Sequence, residues 1–377
     1  MENASFSRLK VLHLVSGDLW AGAESMAFNL LRRLKSRDDL ELSVILLNEG
    51  KLAAKLRAEG IAVRVIDESL NSFTALARKI LHIAGENPPD IIHSHRYKEN
   101  FLAALISLRG GGIRLVATQH GLPELHTKGP GFFSRIKLRA NFLVLSRFFT
   151  TVAVSEDIRG ILAGRFGFRK DKVEVIHNGI ELPAPPSRLE RDGPFVIGSS
   201  GRIFPVKDYP LMVEVARAVA DGCPEDVRFE LAGDGPGLPE LESLVWSRGL
   251  DGSFILKGRQ DDMDAFYRGL DVFLNTSVHE GIPMTILEAL AHGLPVIAPA
   301  VGGIVEIIDD GKDGFLIRGR APGNFAAKCL YLKDNPEERR KMALAAREKA
   351  VRAFSAEAMA DGYYRLYRRE ALARRKY

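Results

Sequence analysis

The run SVHEGIPMTILEALAHGLPVIAP, Ser277 to Pro299, places a loop, a short helix and a buried strand in immediate succession. Proline is favoured at a first helical position and glycine just past a last one, so Pro283 marks the start and Gly293 with Pro295 the stop. Val296-Ile297 then opens a strand. A helix running straight into an apolar strand is the building unit of a parallel α/β sheet. Backbone N–H groups at the helix start, around Met284 and Thr285, lack intrahelical acceptors and form an anion site. Glu280 in the loop and Glu288 in the helix flank it. That set suits a charged, hydroxyl-rich ligand such as a nucleotide sugar; the alternative is two solvated helix-end charges.

The rest of the chain is consistent with this unit repeated. With 377 residues, two domains of ordinary size are expected. Apolar residues make up 46%, charged residues 27%, and there are 35 glycines, the composition of a soluble α/β enzyme and not of a disordered or fibrous chain. The formal charge of +5 has no arginine-rich arm or aromatic-basic motif behind it, so nucleic acid is not expected as a partner. Cys223 and Cys329 stand far apart with no Cys or His pattern beside them, which argues against a zinc site or a disulfide and for a reducing, cytosolic location. Met1 to Lys10 lacks the apolar core of a signal peptide, and no apolar run reaches the ~18 residues that span a bilayer.

In chain order, Val11 to Val15 reads as a strand followed by a turn carrying Gly22 and Glu24, then a helical pattern. A glycine-bearing turn there is where α/β folds bind phosphates, although the G-x-G-x-x-G dinucleotide spacing is absent. Further strands are expected at 42–47, 63–66, 90–94, 114–118, 151–154 and 173–176. At their carboxyl ends stand His93, His95 and His120. For His93 the bland reading, a satisfied core histidine, is preferred; His120 precedes Gly121, where a ligand can approach the backbone. Gly131 to Phe149 interleaves phenylalanines with Arg135, Lys137, Arg139 and Arg147, which fits either contact with an anionic membrane or a helix packed on its own sheet. Leu182 to Gly193, rich in proline and charge, reads as a linker.

After the linker the alternation restarts, with strands expected at 195–199, 227–232, 254–257, 271–275, 296–298 and 315–317. The first ends in Gly201-Arg202, with Lys207 five residues on; together they could clamp a diphosphate, Arg202 by its planar fork and Lys207 as a point charge. Gly233-Asp234-Gly235 ends the next strand and reads equally as a tight turn. Asp262-Met263-Asp264 has the look of an Asp-x-Asp metal signature, but it sits where acidic residues cap a helix, and no metal is expected. Ser355 to Tyr377 forms a terminal amphipathic helix with Met359, Tyr363, Leu366 and Tyr367 on one face.

Together these residues resemble glycosyltransferase family 4, the large retaining group with the GT-B fold. Glu280 and Glu288 match its Glu-x7-Glu motif, supported by Gly201-Arg202 with Lys207, Gly233-Asp234-Gly235, Asn178-Gly179, His120 and the Gly22 to Glu24 turn. The resemblance implies α/β architecture with two Rossmann-like, doubly wound parallel-sheet domains facing across a cleft. Residues 1–185 would bind acceptor, with the helix 355–377 packing back on them, and 190–354 would bind the donor. Arg202 and Lys207 would neutralise the donor diphosphate, aided by amides near Met284 and Thr285 and by close backbone approach at Gly22, Gly201 and Gly233. Glu288 would accept from the ribose, Glu280 would hold the transferred sugar, and His120 would touch that sugar near its anomeric carbon. Ala21 stands where the family usually has glycine, and alanine resists positive φ, so poorer contact is expected at that turn.

The implied reaction is retaining transfer from a nucleoside-diphosphate sugar, a UDP-sugar ahead of a GDP-sugar, to a glycan, lipid-linked or small-molecule acceptor. No cofactor or metal is needed, because fixed cations and helix-end amides stabilise the leaving diphosphate. Cell-surface polysaccharide or lipopolysaccharide assembly is the implied setting, in the cytoplasm and at the inner membrane face. The alternatives are a nucleotide-sugar epimerase or hydrolase of the same fold, and a non-catalytic partner subunit.

Overall fold

The structure, a computed structural model, describes residues 8–18, 20–108, 112–121, 132–148, 150–185, 193–222 and 226–374. Cys223, residues 186–192 of the expected linker and the last three residues lie outside these, as do the side chains of 132–138 within the basic-apolar stretch. The chain divides into two compact units, one reaching Gly179 and resuming at Ala356, the other Ile180–Ser355. Ile180 bridges to Ser355 and donates its N–H to the Phe354 carbonyl at 2.9 Å, so the change of unit falls before the proline-rich segment and not within it.

The first unit alternates β1 (Leu9–Val15), α1 (Gly22–Leu34), β2 (Leu40–Leu46), α2 (Lys51–Ala58), β3 (Ala62–Val65), α3 (Phe73–Glu86), β4 (Ile91–Ser94), α4 (Tyr97–Ser107), β5 (Arg114–Gln119), α5 (Phe132–Leu145), β6 (Thr150–Ala153), α6 (Glu156–Phe166) and β7 (Val173–Val175). The second runs β8 (Phe195–Ser200), α7 (Tyr209–Gly222), β9 (Val227–Ala232), α8 (Leu238–Ser247), β10 (Phe254–Gly258), α9 (Met263–Arg268), β11 (Val272–Leu274), α10 (Met284–Ala291), β12 (Val296–Pro299), α11 (Ile304–Ile307), β13 (Gly314–Ile317), α12 (Pro322–Asp334) and α13 (Pro336–Ala353). The chain ends in α14 (Ala356–Arg374).

Both sheets are parallel, ordered β3-β2-β1-β4-β5-β6-β7 and β10-β9-β8-β11-β12-β13. Their strands are apolar on both faces because helices cover both. In each sheet the order reverses between its first and fourth strands, β1 beside β4 and β8 beside β11, and ligands of such sheets bind beyond the strand ends at that switch point. The second core joins Ile197, Met212, Val215, Leu231, Leu274 and Phe325. Helix α14 belongs to the first unit because its apolar stripe recurs with helical spacing: Met359, Tyr363, Leu366 and Tyr367 are all buried.

Candidate functional site

In the second unit, two loops at the switch point are zipped together by backbone and side-chain bonds. Val278 N–H donates to the Val206 carbonyl at 2.8 Å and Thr276 Oγ1 to the Lys207 carbonyl at 2.9 Å. This brings Lys207 Nζ to 2.6 Å from Glu280 Oε1, and Ser277 Oγ donates to the same oxygen at 2.7 Å. Both Lys207 and Glu280 are mostly buried, which weakens solvent screening of the pair. Arg202 is exposed and lies over the Phe204 ring, 4.9 Å from its centroid. It belongs to the site through its loop and not through a hydrogen bond to Lys207 or Glu280.

Asp208, next to Lys207, has φ 46, the one non-glycine residue with positive φ among the described residues. Its carboxylate pairs with Arg320, which also donates to the Thr276 carbonyl at 2.6 Å and the Ser277 carbonyl at 3.2 Å. Arg320 thus ties the two site loops together, a role that no local pattern around it announces. Glycine is required where these loops meet the next strand: a Cβ on Gly233 would stand 1.9 Å from the Gly201 carbonyl oxygen, and Gly201 itself has φ 146.

Pro283 precedes α10 and offers its first turn no side-chain cap, which leaves the amides of Met284 and Thr285 for a ligand. Thr285 Oγ1 is buried without a hydrogen-bond partner. Glu288, a turn further along, accepts from Tyr267 O–H at 2.7 Å, and Ser200 Oγ bonds that hydroxyl at 2.9 Å. Loss of hydration pushes the Glu288 carboxyl up to about 7, the Tyr267 bond working against it. No local pattern marks Tyr267 for a polar role; its hydroxyl matters because α9 aims it at α10. Asp262 caps α9 by accepting from Ala265 N–H at 2.9 Å, and Asp264 binds Arg268 at 2.7 Å and His292 at 2.9 Å, so this pair serves the helix end.

Gly22 and His120 lie in the other unit. Gly22 opens α1, and Ala21 before it is extended at φ −134, so the expected penalty for alanine at that turn does not arise. In the next helical residues Glu24 is buried and paired with Arg96 at 2.6 Å, its other oxygen without a partner; Arg96 also holds Asp18 at 3.1 Å. Glu99, in the first turn of α4, is buried with neither carboxylate oxygen bonded, and burial pushes it up to about 7.

His120 Nε2 lies 3.1 Å from His95 Nδ1, and its own Nδ1 is buried without a partner. Behind it, His13, His93 and His95 have ring nitrogens within 4.8 Å of one another, a separation that by distance alone suits a metal ion. Every one of those nitrogens, however, has a hydrogen-bond partner: His13 with His95 and Tyr367, His93 with Tyr367 and Thr118, His95 with His13 and His120. The arrangement is a hydrogen-bonded chain. Burial depresses the whole group, His13 and His120 to about 3 and His93 and His95 well below the usual range, so all four rings are neutral near pH 7. His93 is therefore the satisfied core histidine expected of it.

The chain matches the family description "Glycosyltransferase Family 4" over residues 20–183 and "Glycosyl transferases group 1" over 184–349. It is 28% identical over 311 residues to a D-inositol 3-phosphate glycosyltransferase of Frankia alni, covering 76% of each chain. It is 24% identical over 354 residues to the UDP-Gal:alpha-D-GlcNAc-diphosphoundecaprenol alpha-1,3-galactosyltransferase of Escherichia coli, covering 88% of this chain and 90% of that one. Among solved structures, Anabaena Alr3699/HepE in complex with UDP and glucose superposes with a TM-score of 0.82 at 23% identity, over 95% of this chain and 99% of that one, a likeness of fold.

Proposed function

The chain belongs to glycosyltransferase family 4, and from that premise we propose that it transfers a sugar, with retention of configuration, from a nucleoside-diphosphate sugar to a glycan or lipid-linked acceptor. The observation that carries the donor assignment is the set around α10: Glu280 fixed by Lys207 and Ser277 before the helix, uncapped amides and an unbonded Thr285 hydroxyl at its start, Glu288 fixed by Tyr267 within it.

In this reading the donor diphosphate lies against the amides of Met284 and Thr285, with Lys207 and Arg202 as counter-charges and the backbone at Gly201 and Gly233 making room for it. Glu288 turns its remaining oxygen to the ribose hydroxyls. Glu280 takes the hydroxyls of the transferred sugar, and the family resemblance assigns His120 to that sugar and Gly22 to the donor as well. As the bond to the anomeric carbon breaks, negative charge grows on the diphosphate, and fixed cations and amides stabilise it without a metal. Neither glutamate is asked to move a proton.

A UDP-sugar is favoured over a GDP-sugar by the name of the Escherichia coli relative, which gives UDP-Gal as donor and a diphosphoundecaprenol-linked acceptor. A role in cell-surface polysaccharide or lipopolysaccharide assembly at the cytoplasmic membrane face fits such an acceptor. Among the described residues no helix is long and apolar enough to cross a membrane; exposed Leu143 on α5, with exposed Arg139 and Arg147 nearby, supports peripheral contact with an anionic one, although Phe142, Leu145 and Phe148 of that segment are buried.

A thermal-shift panel of UDP, GDP, ADP and NADH tests the donor assignment, because a ligand of the folded state raises its stability by mass action. UDP is expected to give the largest shift; no shift with any nucleotide overturns the reading. NMR of the product from an α-linked donor tests retention, and a β-linked product overturns it.

A further inference from the structure

Seven side chains of the first unit form one unbranched line of hydrogen bonds. Tyr363 O–H meets Thr118 Oγ1 at 2.8 Å, and Thr118 meets His93 Nε2 at 2.8 Å. His93 Nδ1 meets the Tyr367 hydroxyl at 2.6 Å, which meets His13 Nε2 at 3.3 Å. His13 Nδ1 meets His95 Nε2 at 3.3 Å, and His95 Nδ1 meets His120 Nε2 at 3.1 Å. The rings of His13 and His95, and of His95 and His120, are within 25° and 20° of parallel with centroids 5.6 and 5.4 Å apart, the spacing of imidazoles joined end to end through nitrogen. Tyr363 of α14 stands at one end and Tyr367, one helical turn on, at the middle. His120 stands at the other, with its Nδ1 bonded to nothing.

Each member of this line, a neutral imidazole or a hydroxyl, has one hydrogen to give. Six links joining seven single donors can then be filled in two uniform ways. If every donor points toward Tyr363, all four histidines carry the proton on Nε2 and the Tyr363 hydroxyl hydrogen is left over in the core, where that side chain is fully buried and has no other partner among the described residues. If every donor points toward His120, Tyr363 gives its hydrogen to Thr118, all four histidines carry the proton on Nδ1, and the left-over donor is the N–H of His120. Both left-over donors are buried, but Tyr363 is sealed on every side, whereas His120 is a half-buried residue at the carboxyl end of β5, where a small side-chain movement opens Nδ1 to a ligand.

We propose that the tyrosines of α14 polarise this line outward and thereby fix His120 as an Nδ1–H hydrogen-bond donor toward the bound sugar, with Tyr363, Tyr367, His13 and His95 as positioning residues. The destination of that N–H rests on the glycosyl-transfer reading; the tautomer does not. An N–H donor at this point bonds a sugar hydroxyl or ring oxygen and cannot abstract a proton, so His120 orients the sugar and does not act as a base. Burial supports the scheme by keeping the rings neutral: a second proton on an inner ring would reverse the links between that ring and Tyr363 and leave the Tyr363 hydroxyl hydrogen without an acceptor in the core.

Long-range proton–nitrogen correlation NMR on the full chain labelled with 15N-histidine at pH 7 reads the tautomers directly, the His120 signals being assigned by their loss in His120→Gln. The expected result is pyrrole-type Nδ1 and pyridine-type Nε2 at His120, His95, His13 and His93, the form that free neutral histidine disfavours, by about tenfold or more at His120. Nε2–H or an averaged signal at His120 in the wild type overturns the proposal. Tyr367→Phe cuts the line in the middle and should move His120 to a mixture of tautomers; unchanged His120 nitrogen shifts in a folded Tyr367→Phe protein would show that α14 does not set the polarity. The nucleotide panel fails or succeeds independently of these spectra, so loss of the donor reading and loss of the tautomer assignment are distinguishable.

Discussion

Lys207 Nζ and Ser277 Oγ converge on a single oxygen of Glu280, at 2.6 and 2.7 Å, which leaves the second carboxylate oxygen of Glu280 without either bond and fixes its direction. A carboxylate held on one side is oriented for a ligand on the other. Lys207 therefore positions Glu280 as well as offering charge. Lys207→Ala is expected to lower turnover by about two to three orders of magnitude, the scale of one preorganised charge-stabilising group. Arg202→Ala should cost a comparable amount of rate with little change in stability, because Arg202 is exposed. Steady-state kinetics with a UDP-sugar, beside thermal unfolding, separates the two; wild-type rates in both variants would dismiss the phosphate clamp.

Glu99 makes stability depend on pH. Its carboxyl is raised from an ordinary 4.5 to about 7, chiefly by burial, with Glu68 and Asp18 adding repulsion and Arg96 opposing it. An acid whose folded value is raised binds its proton more tightly in the folded state, so its favourable contribution is complete below about 4.5 and is lost as pH rises to about 7. Glu99→Gln should remove that slope and stabilise the protein at pH 8, by at most on the order of 3 kcal/mol at 1.36 kcal/mol per pH unit. Glu288 is shifted in the same direction, so part of the slope should persist. Urea unfolding at pH 5 and pH 8 decides it; an unaltered pH profile in Glu99→Gln would refute the assignment.

Asp208 isolates backbone strain. Asp208→Ala and Asp208→Gly lose the Arg320 pairing equally, but only alanine must hold φ 46 with a Cβ. The glycine variant is expected to be the more stable of the two by about 1 kcal/mol, the reverse of the usual order. Equal midpoints in denaturant would mean that the loop relaxes out of the left-handed region.

Gly233→Ala should destabilise the second unit by about 1–3 kcal/mol or more, because the new methyl carbon would stand 1.9 Å from the Gly201 carbonyl oxygen and the obstacle is backbone, which cannot rotate away. Thermal unfolding followed with and without UDP reads both the loss of stability and the loss of binding. A variant with wild-type melting would show that the two loops separate easily.

Ala21→Gly is expected to change little: stability within about 0.5 kcal/mol, as at other exposed sites without a special role, and turnover within about twofold. Ala21 is already extended, so glycine has no strain to relieve. A tenfold gain in turnover would mean that the turn works in another conformation.

What the sequence determined by itself is the alternation and its chemistry at the strand ends. Apolar strands separated by helical periods lead to two parallel sheets, because that pattern can be buried only between helices on both faces, and β9 begins and ends at the residues expected of it. Pro283 and Gly293 likewise bound α10 because their preferences are local, set by backbone dihedrals. Glu280 and Lys207 were legible as candidates because they lie on loops at a switch point, and Glu288 because it follows the helix start there. Only the tertiary structure decided what each of them touches. The Lys207–Glu280 pair, Arg320 across two loops, and Tyr267 on Glu288 join residues from separate turns of the fold, and no periodicity encodes a contact between them. The histidines show the difference most clearly. His13 reads as one more position in an apolar strand and Tyr367 as one more in a helical stripe, yet burial strips both of water, and a polar group without water must find a partner or pay the full cost of its absence. That requirement, met only when α14 folds onto the first sheet, draws His13, His93, His95 and two tyrosines into one line ending at His120.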